Sequence, residues 1–437
     1  MRETLISNFL RISKIPRESG KEDKIANFFI DVAKENNLLY FKDDNNNVLI
    51  KKKGNINSSP VALQSHLDMV CIKKEDSKHN FETEGINVVI SDDKVTAKDT
   101  TLGADQGVGL AIMLTIMENK SLKHPDLEFL FTTEEETTFN GAVTFPYDKV
   151  TSKRLINLDN SKDDSVFIGS DGDICNEYIY NGNLVENNMP SYKVLLNGFL
   201  GGNSSEDINL SKNNAIFTMA RILQDKDVLL KNINGGISEN DIATFCEVTL
   251  NTKDNIDKIF EGYNVKVSKI ESDFSFSKED TKNIINQIIN LKSGFINKEM
   301  VSANLGLIKT IDNKIAIYYL LRSMDKKKLE TVNKETKNLN YHFSVKEVYT
   351  DSSWEVNYES KLLNQYKKLY YREYLEYPKE EVYHGSIECS AIKKRIKGLD
   401  IISIGGNIEK FHTILETTYI SSWLKIYNLL IKFLESL

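Results

Sequence analysis

Two histidines and a set of acidic residues stand at the ends of apolar runs, in an order that could assemble a metal site. His66 and Asp68 lie in "VALQSHLDMV", Asp105 in "TTLGADQGVGLA", Glu135 and Glu136 in "LEFLFTTEEETTFNGA", Asp159 in "RLINLDNS" and His412 in "IISIGGNIEKFHTILE". Imidazole and carboxylate are donors that zinc, cobalt and manganese accept. Residues two apart on an extended chain point the same way, so the His66 imidazole could bind metal with the Asp68 carboxylate close behind it. Glu134, Glu135 and Glu136 directly end the apolar run "LEFLF", and paired carboxylates there could divide the work, one holding metal and the other moving a proton. Each residue also has an ordinary alternative. The glutamates could form a solvated turn, Asp105 a helix N-cap before the "GVGLA" run, Asp159 a plain loop residue and His412 an incidental loop histidine. The conjunction of all of them favours metal chemistry.

Strand and helix patterns explain how such residues could meet. Residues 21–38, "KEDKIANFFIDVAKENNL", place Ile25, Phe28, Phe29, Val32 and Ala33 on one helical face. Short apolar runs then alternate with helical ones: "NNVLIKK", "PVALQSH", the helix "GVGLAIMLTIME", "LEFLFTT" and "RLINLD". This alternation predicts an α/β fold in which a mixed, mostly parallel β-sheet is flanked by helices. From about residue 185 the character changes, and "TFCEVTLNT" and "KIAIYYLLRS" read as strands of a second sheet. Near residue 355 the first pattern returns, and it carries His412. Residues 1–184 and 355–437 are therefore expected to form one domain, and 185–354 an inserted α+β domain.

Composition narrows the partners. At 437 residues the chain is long for a single core. Its 56 basic and 63 acidic residues leave a net charge of -7, with no basic stretch long enough to track phosphates, so nucleic acid is not an expected partner. Cys71, Cys175, Cys246 and Cys389 are widely spaced with no CxxC pair, which argues against a thiolate zinc site or a disulfide framework. No apolar run approaches the ~20 residues of a membrane span, so no membrane partner is expected and the expected location is the cytoplasm.

The chain resembles the aminoacyl-histidine dipeptidases, also called cytosolic non-specific dipeptidases or peptidase D, within the co-catalytic zinc aminoacylases and carboxypeptidases. The resemblance runs nearly end to end, through "RISKIPRESGKE", "QSHLDMVC", "TTLGADQGVGLA", "TTEEETTFNGA", "LINLDNS", "GFLGGNSSEDI", "SANLG", "LLRS", "HGSIECSAI" and "IGGNIEKFHT". It implies a metallopeptidase carrying two divalent ions, zinc foremost, with cobalt or manganese as alternatives. His66 and Asp159 look like the terminal ligands of one ion, Glu136 and His412 those of the other, and Asp105 the carboxylate between them. Asp68 would orient His66, and Glu135 would be the general base. The glutamate register is set by the family's distance from the ligand to Gly141. The inserted domain resembles the family's lid, through which a homodimer is expected.

The same resemblance implies a small peptide as substrate, unblocked dipeptides such as Xaa-His. Arg322 would hold its carboxylate by a bidentate contact, Asn240 matches a further family position at the substrate, and His384 and Glu388 match positions that either touch the substrate or support the residues that do. One departure concerns the lid: the family string "GGHSG" reads "GGNSS" here, so Asn203 stands where a histidine supports the tetrahedral intermediate. An asparagine amide still donates a hydrogen bond but carries no positive charge. Two alternatives therefore stand beside the dipeptidase: a related amidohydrolase of N-acyl or modified amino acids, and a metal-binding homologue that is catalytically silent.

Overall fold

Near-continuous apolar runs become strands buried along their whole length. In the computed structural model, which describes residues 1–208, 213–296 and 301–437, Val61–His66 and Leu127–Thr132 are buried at every position. That pattern belongs to strands covered on both faces. The chain divides into two compact units, one of Met1–Gly169, Glu355–Val382 and Ile387–Leu437, the other of Ser170–Trp354 and Tyr383–Ser386.

The first unit is built on an eight-stranded mixed sheet in the order Leu39–Lys42, Val48–Lys52, Leu127–Thr132, Val61–His66, Arg154–Asn157, Asp400–Ser403, Ser165–Ser170 and Lys379–Tyr383. Its four central strands, Leu127–Thr132 to Asp400–Ser403, are parallel, and antiparallel pairs extend the sheet on both sides. Parallel strands end on the same edge, so the loops that follow Val61–His66, Leu127–Thr132 and Arg154–Asn157 gather there. Helices Asp23–Glu35, Ala104–Glu118 and Ile420–Ser436 pack Phe29, Ile112, Trp423 and Phe433 into one core with Phe129 and Phe131. The Phe29 and Phe131 rings stack at 4.1 Å, a contact that adds about 0.5–1.5 kcal/mol to plain area burial. Ala104–Glu118 is apolar around almost its whole circumference and correspondingly buried. A small four-stranded sheet pairs Ile408–Glu409 with Thr417–Tyr419, and the latter with Lys94–Ala97. The loop carrying His412 is thus the connection of a hairpin, anchored to the chain just before Asp105.

The second unit holds a nine-stranded antiparallel sheet that includes Gly172–Asn181, Ser191–Leu196, Cys246–Thr252, Val301–Ile311 and Lys314–Ser323. Helices Ala215–Leu223, Lys278–Asn290 and Lys326–Asn338 share its apolar core. The change of unit comes after Gly169, not after residue 184, because Gly172–Asn181 pairs residue by residue with Lys314–Ser323. A short return, Tyr383–Ser386, also joins the second unit, since Asp171 donates its backbone N–H to Tyr383. The string "HGSIEC" is therefore split, with His384 in the second unit and Glu388 in the first. Among the described residues no helix is long and apolar enough to cross a membrane.

Candidate metal centre

His66 ends its strand with the imidazole 1 % exposed, and its Nδ1 lies 3.3 Å from Asp68 Oδ1. Its Nε2 faces Asp105 Oδ1 at 3.6 Å and Asp159 Oδ1 at 3.9 Å. The other Asp105 oxygen, Oδ2, lies 3.3 Å from His412 Nε2, and Glu136 Oε2 approaches that same nitrogen at 2.9 Å. Asp105 thus presents one oxygen to each histidine. Gln106 Nε2 donates to Asp159 Oδ1 at 2.5 Å and to Asp105 Oδ1 at 3.3 Å, which fixes two of the carboxylates against each other. His66, Asp105 and Glu136 each supply a ligand atom within 4.8 Å of the other two.

Backbone amides aim the remaining acids. Glu135 N and Glu136 N donate to the two oxygens of Asp68, each at 3.1 Å, and Ser19 Oγ donates to Asp68 Oδ2 at 2.7 Å. Glu134 N donates to Glu22 Oε1 at 3.0 Å. Three successive amides are pinned, so the turn bearing Glu135 and Glu136 is set by its backbone and the side chains stay free. Gly141 closes this turn: its N–H bonds Thr133 O, and a Cβ there would meet the Thr133 nitrogen and oxygen at 2.3 Å.

The electrostatics follow from crowding acids in a buried place. Burial raises the Glu135 carboxyl well above its ordinary value, helped by Asp159 and Glu136 against the pull of His66. Burial likewise raises Asp159, with Asp105 adding to it. Burial opposes ionisation of Asp105 too, but His412 and His66 outweigh it and hold the carboxyl below the usual range. Both imidazoles are disfavoured as cations by burial, yet neighbouring carboxylates raise them well above the ordinary histidine value, Asp105 and Asp68 at His66, Glu136 and Asp105 at His412. The cluster attracts positive charge from any source.

Of the residues expected at the substrate, four lie in the second unit. Arg322, 4 % exposed, donates from Nε to Asp173 Oδ2 at 3.2 Å, from Nη1 to Ser204 Oγ at 2.6 Å and from Nη2 to Asn240 Oδ1 at 2.6 Å. His384 Nδ1 lies 2.6 Å from Asp171 Oδ2. The Asn203 side-chain oxygen accepts from Ser205 N and Ser205 Oγ, capping the short helix Ser204–Asp207. Glu388, matched either to the substrate or to a supporting place, is 0 % exposed in the first unit, accepting from Gln64 Nε2 at 2.6 Å and Thr132 Oγ1 at 2.7 Å. Its two partners sit on the central strands, so it braces the strand ends from beneath.

No protein-family model matches the chain. It is nevertheless 26 % identical, over 469 aligned residues, to the cytosol non-specific dipeptidase of Escherichia coli (strain K12), with 98 % of this chain and 96 % of that protein covered. The solved structure of aminoacylhistidine dipeptidase from Vibrio alginolyticus matches it with a TM-score of 0.77 at 25 % identity, covering 99 % of this chain and 96 % of the other. Over nearly its whole length the chain is similar to the aminoacylhistidine dipeptidases. The fold is shared more widely, since aminopeptidase PepT from Bacillus cereus matches this chain with a TM-score of 0.62 at 14 % identity, covering 100 % of this chain and 98 % of that one.

The donor set suits divalent cations. Both His66 ring nitrogens, His412 Nε2 and Glu136 Oε1 are buried without a hydrogen bond of normal geometry, and mixed imidazole and carboxylate donors are what such ions take. Three residues that support this cluster escape a reading of the sequence: Glu22, Arg17 and Glu416. Each acts on backbone groups distant in the chain, and no spacing rule marks that. The one available signal was the acid four residues after His412.

Proposed function

We propose that this protein is a metal-dependent dipeptidase that hydrolyses the peptide bond of unblocked dipeptides, Xaa-His among them. The observation that carries this reading is the Asp105 carboxylate set between His66 and His412, with Glu136 against His412 and Asp159 against His66. His66 and Asp159 would hold one divalent ion, Glu136 and His412 the other, and Asp105 would serve both. Zinc suits these donors best, with cobalt and manganese next. When bound, such a pair supplies an acidified water and polarises the scissile carbonyl.

The chain's own groups do the rest. Asp68 fixes the His66 ring through Nδ1, which leaves Nε2 directed at Asp105 and Asp159. Glu135, whose carboxyl holds its proton more tightly than an exposed one because it is buried, accepts a proton from the attacking water and passes it to the leaving amine. Arg322, with Asn240 and His384, is assigned to the substrate carboxylate, and the Asn203 amide to the oxygen of the tetrahedral intermediate. A cytoplasmic homodimer joined through the second unit completes the proposal.

The test is release of amino acids from free dipeptides, N-acetylated dipeptides and tripeptides by protein reconstituted with zinc, cobalt or manganese. Turnover confined to free dipeptides is the expected result. Turnover of acylated compounds alone would replace this reading with an amidohydrolase, and no turnover with two ions bound would replace it with a silent binding protein.

A further inference from the structure

A side-chain oxygen at the start of a helix normally accepts the free N–H groups two and three residues further on. Asp105 stands at the start of Ala104–Glu118 and does not do so. The N–H groups of the turn that leads into it are held by a carboxylate from elsewhere in the chain. Glu416, 3 % exposed, accepts from Leu102 N at 2.7 Å and Gly103 N at 2.9 Å with Oε2, and from Ala104 N at 2.7 Å and Asp105 N at 3.2 Å with Oε1. Four successive N–H groups converge on one carboxylate, a concave backbone nest of the kind that binds anions. The curvature needs Gly103 in the left-handed region at φ +67°, where an added Cβ would meet Arg17 Nη2 at 2.6 Å.

Arg17 holds the carbonyl side of the same structure. Its Nη2 donates to Gly103 O at 2.5 Å, and its Nη1 to Leu67 O at 3.0 Å and Asp68 O at 2.6 Å. A guanidinium therefore ties the segment after His66 to the Asp105 loop. The carboxylate ties the Asp105 loop to the hairpin loop that carries His412, four residues before Glu416. The three segments are joined through backbone groups, and neither clamp uses a side-chain atom of His66, Asp105 or His412.

We infer that Glu416 is a positioning residue that holds the backbone of the Asp105 loop, so that both Asp105 oxygens face His66 and His412 before any ion arrives. The inference rests on the two-ion reading above. Charge-assisted bonds from N–H to carboxylate are short and strong, so the loop is held in its final shape in the metal-free protein. Without that carboxylate four N–H groups lose their acceptor, and the loop no longer holds the Asp105 oxygens toward the histidines.

Two measurements test it, one with a variant and one without. Cobalt titrations followed by visible absorption compare the wild type with Glu416→Gln, a substitution of equal size that faces two of the four amides with an NH2 group. The expected result is a folded metal-free protein with cobalt binding weakened about 10- to 100-fold, the usual effect of losing a group that orients a ligand, and an altered cobalt spectrum. Wild-type affinity and spectrum in a folded Glu416→Gln protein overturn the inference. Amide hydrogen exchange on the metal-free wild type needs no variant, and it decides the matter if Glu416→Gln does not fold. Protection at residues 102–105 is expected, and exchange as fast as in an exposed loop overturns the inference. Failure of the wild type to bind cobalt at all would instead overturn the two-ion reading, while the exchange result would still judge the clamp.

Discussion

The two units each contain a buried polar cluster, and the clusters differ in whether their charges are balanced. In the first, Asp68, Asp105, Asp159, Glu135, Glu136 and Glu388 crowd around two imidazoles whose nitrogens lack hydrogen bonds of normal geometry. In the second, Arg322 meets Asp173, and His384 meets Asp171. Isolated buried charge is costly, and proteins retain it where a partner or ligand completes the site. The first cluster is thus arranged for incoming positive charge. The second is closed by its own ion pairs, leaving His384 Nε2 and Asp173 Oδ1 as unpaired polar atoms. Substitutions at the first cluster's base and ligands should therefore act mainly on chemistry, whereas those in the second should cost stability in addition to any effect on substrate.

The largest expected effect tests the first half of that contrast. Glu135→Gln keeps the size of the side chain and removes the base, so kcat should fall about 10²- to 10⁴-fold. The metal-free protein should be no less stable, because burial already works against the ionised carboxylate. Steady-state kinetics on protein with measured metal content, paired with urea unfolding, read both quantities. Activity within a few-fold of wild type would remove Glu135 from the mechanism.

Arg322→Ala tests the second half. Asp173 would be left buried opposite nothing, and breaking a buried pair from one side costs about 3–5 kcal/mol. Ser204 and Asn240 would lose their donor as well. Urea unfolding should show that loss with and without metal, since no part of the cluster belongs to the metal centre. A loss seen only with metal bound would mean that the two clusters are not independent.

The same contrast explains what the sequence made legible. Residues at the ends of parallel strands announce themselves, because an apolar run followed by His or Glu places that side chain on the edge where loops gather. His66, Glu136 and Asp159 are of this kind. Glu416 and Arg17 are not: they act on amides and carbonyls between 50 and 314 positions away, and only the folded backbone shows that four N–H groups converge on one acid. Glu388 shows a related limit, because its string continues from His384 although the chain passes from one unit to the other between them. The onset of the second unit was obscured for a related reason. "GDICNEYIYN" follows the first unit's strands without a break in composition, and its membership is decided by pairing with Lys314–Ser323.

A smaller effect concerns Glu388 in the metal-free protein. Burial, against the favourable influence of His66 and its hydrogen bonds, raises its carboxyl from 4.5 to about 7. A carboxyl raised in the folded state stabilises it fully below the unfolded value, and that contribution is lost as pH rises to the folded value. At 1.36 kcal/mol per pH unit the loss is about 3 kcal/mol between pH 4.5 and 7. Denaturation of chelator-treated protein should therefore show wild type losing stability relative to Glu388→Gln across that window. Parallel pH profiles would show that Glu388 ionises without cost, and that the first cluster is already balanced without metal.

The smallest effect separates structure from chemistry at one residue of the second unit. Asn203 Oδ1 is committed to Ser205 N and Ser205 Oγ, so Asn203→Ala should cost about 1 kcal/mol as a lost helix cap. Asn203→Ser offers an equally good capping oxygen and should restore that stability. A serine hydroxyl occupied as a cap does not replace an amide N–H aimed at the reaction. If Asn203 serves the tetrahedral intermediate, Asn203→Ser should unfold like the wild type and yet show a reduced kcat with an unchanged KM, because the interaction is made in the transition state alone. Recovery of stability and kcat together would assign Asn203 to the cap and place it, with Arg322 and Asp173, among the residues whose first task is to hold the second unit together.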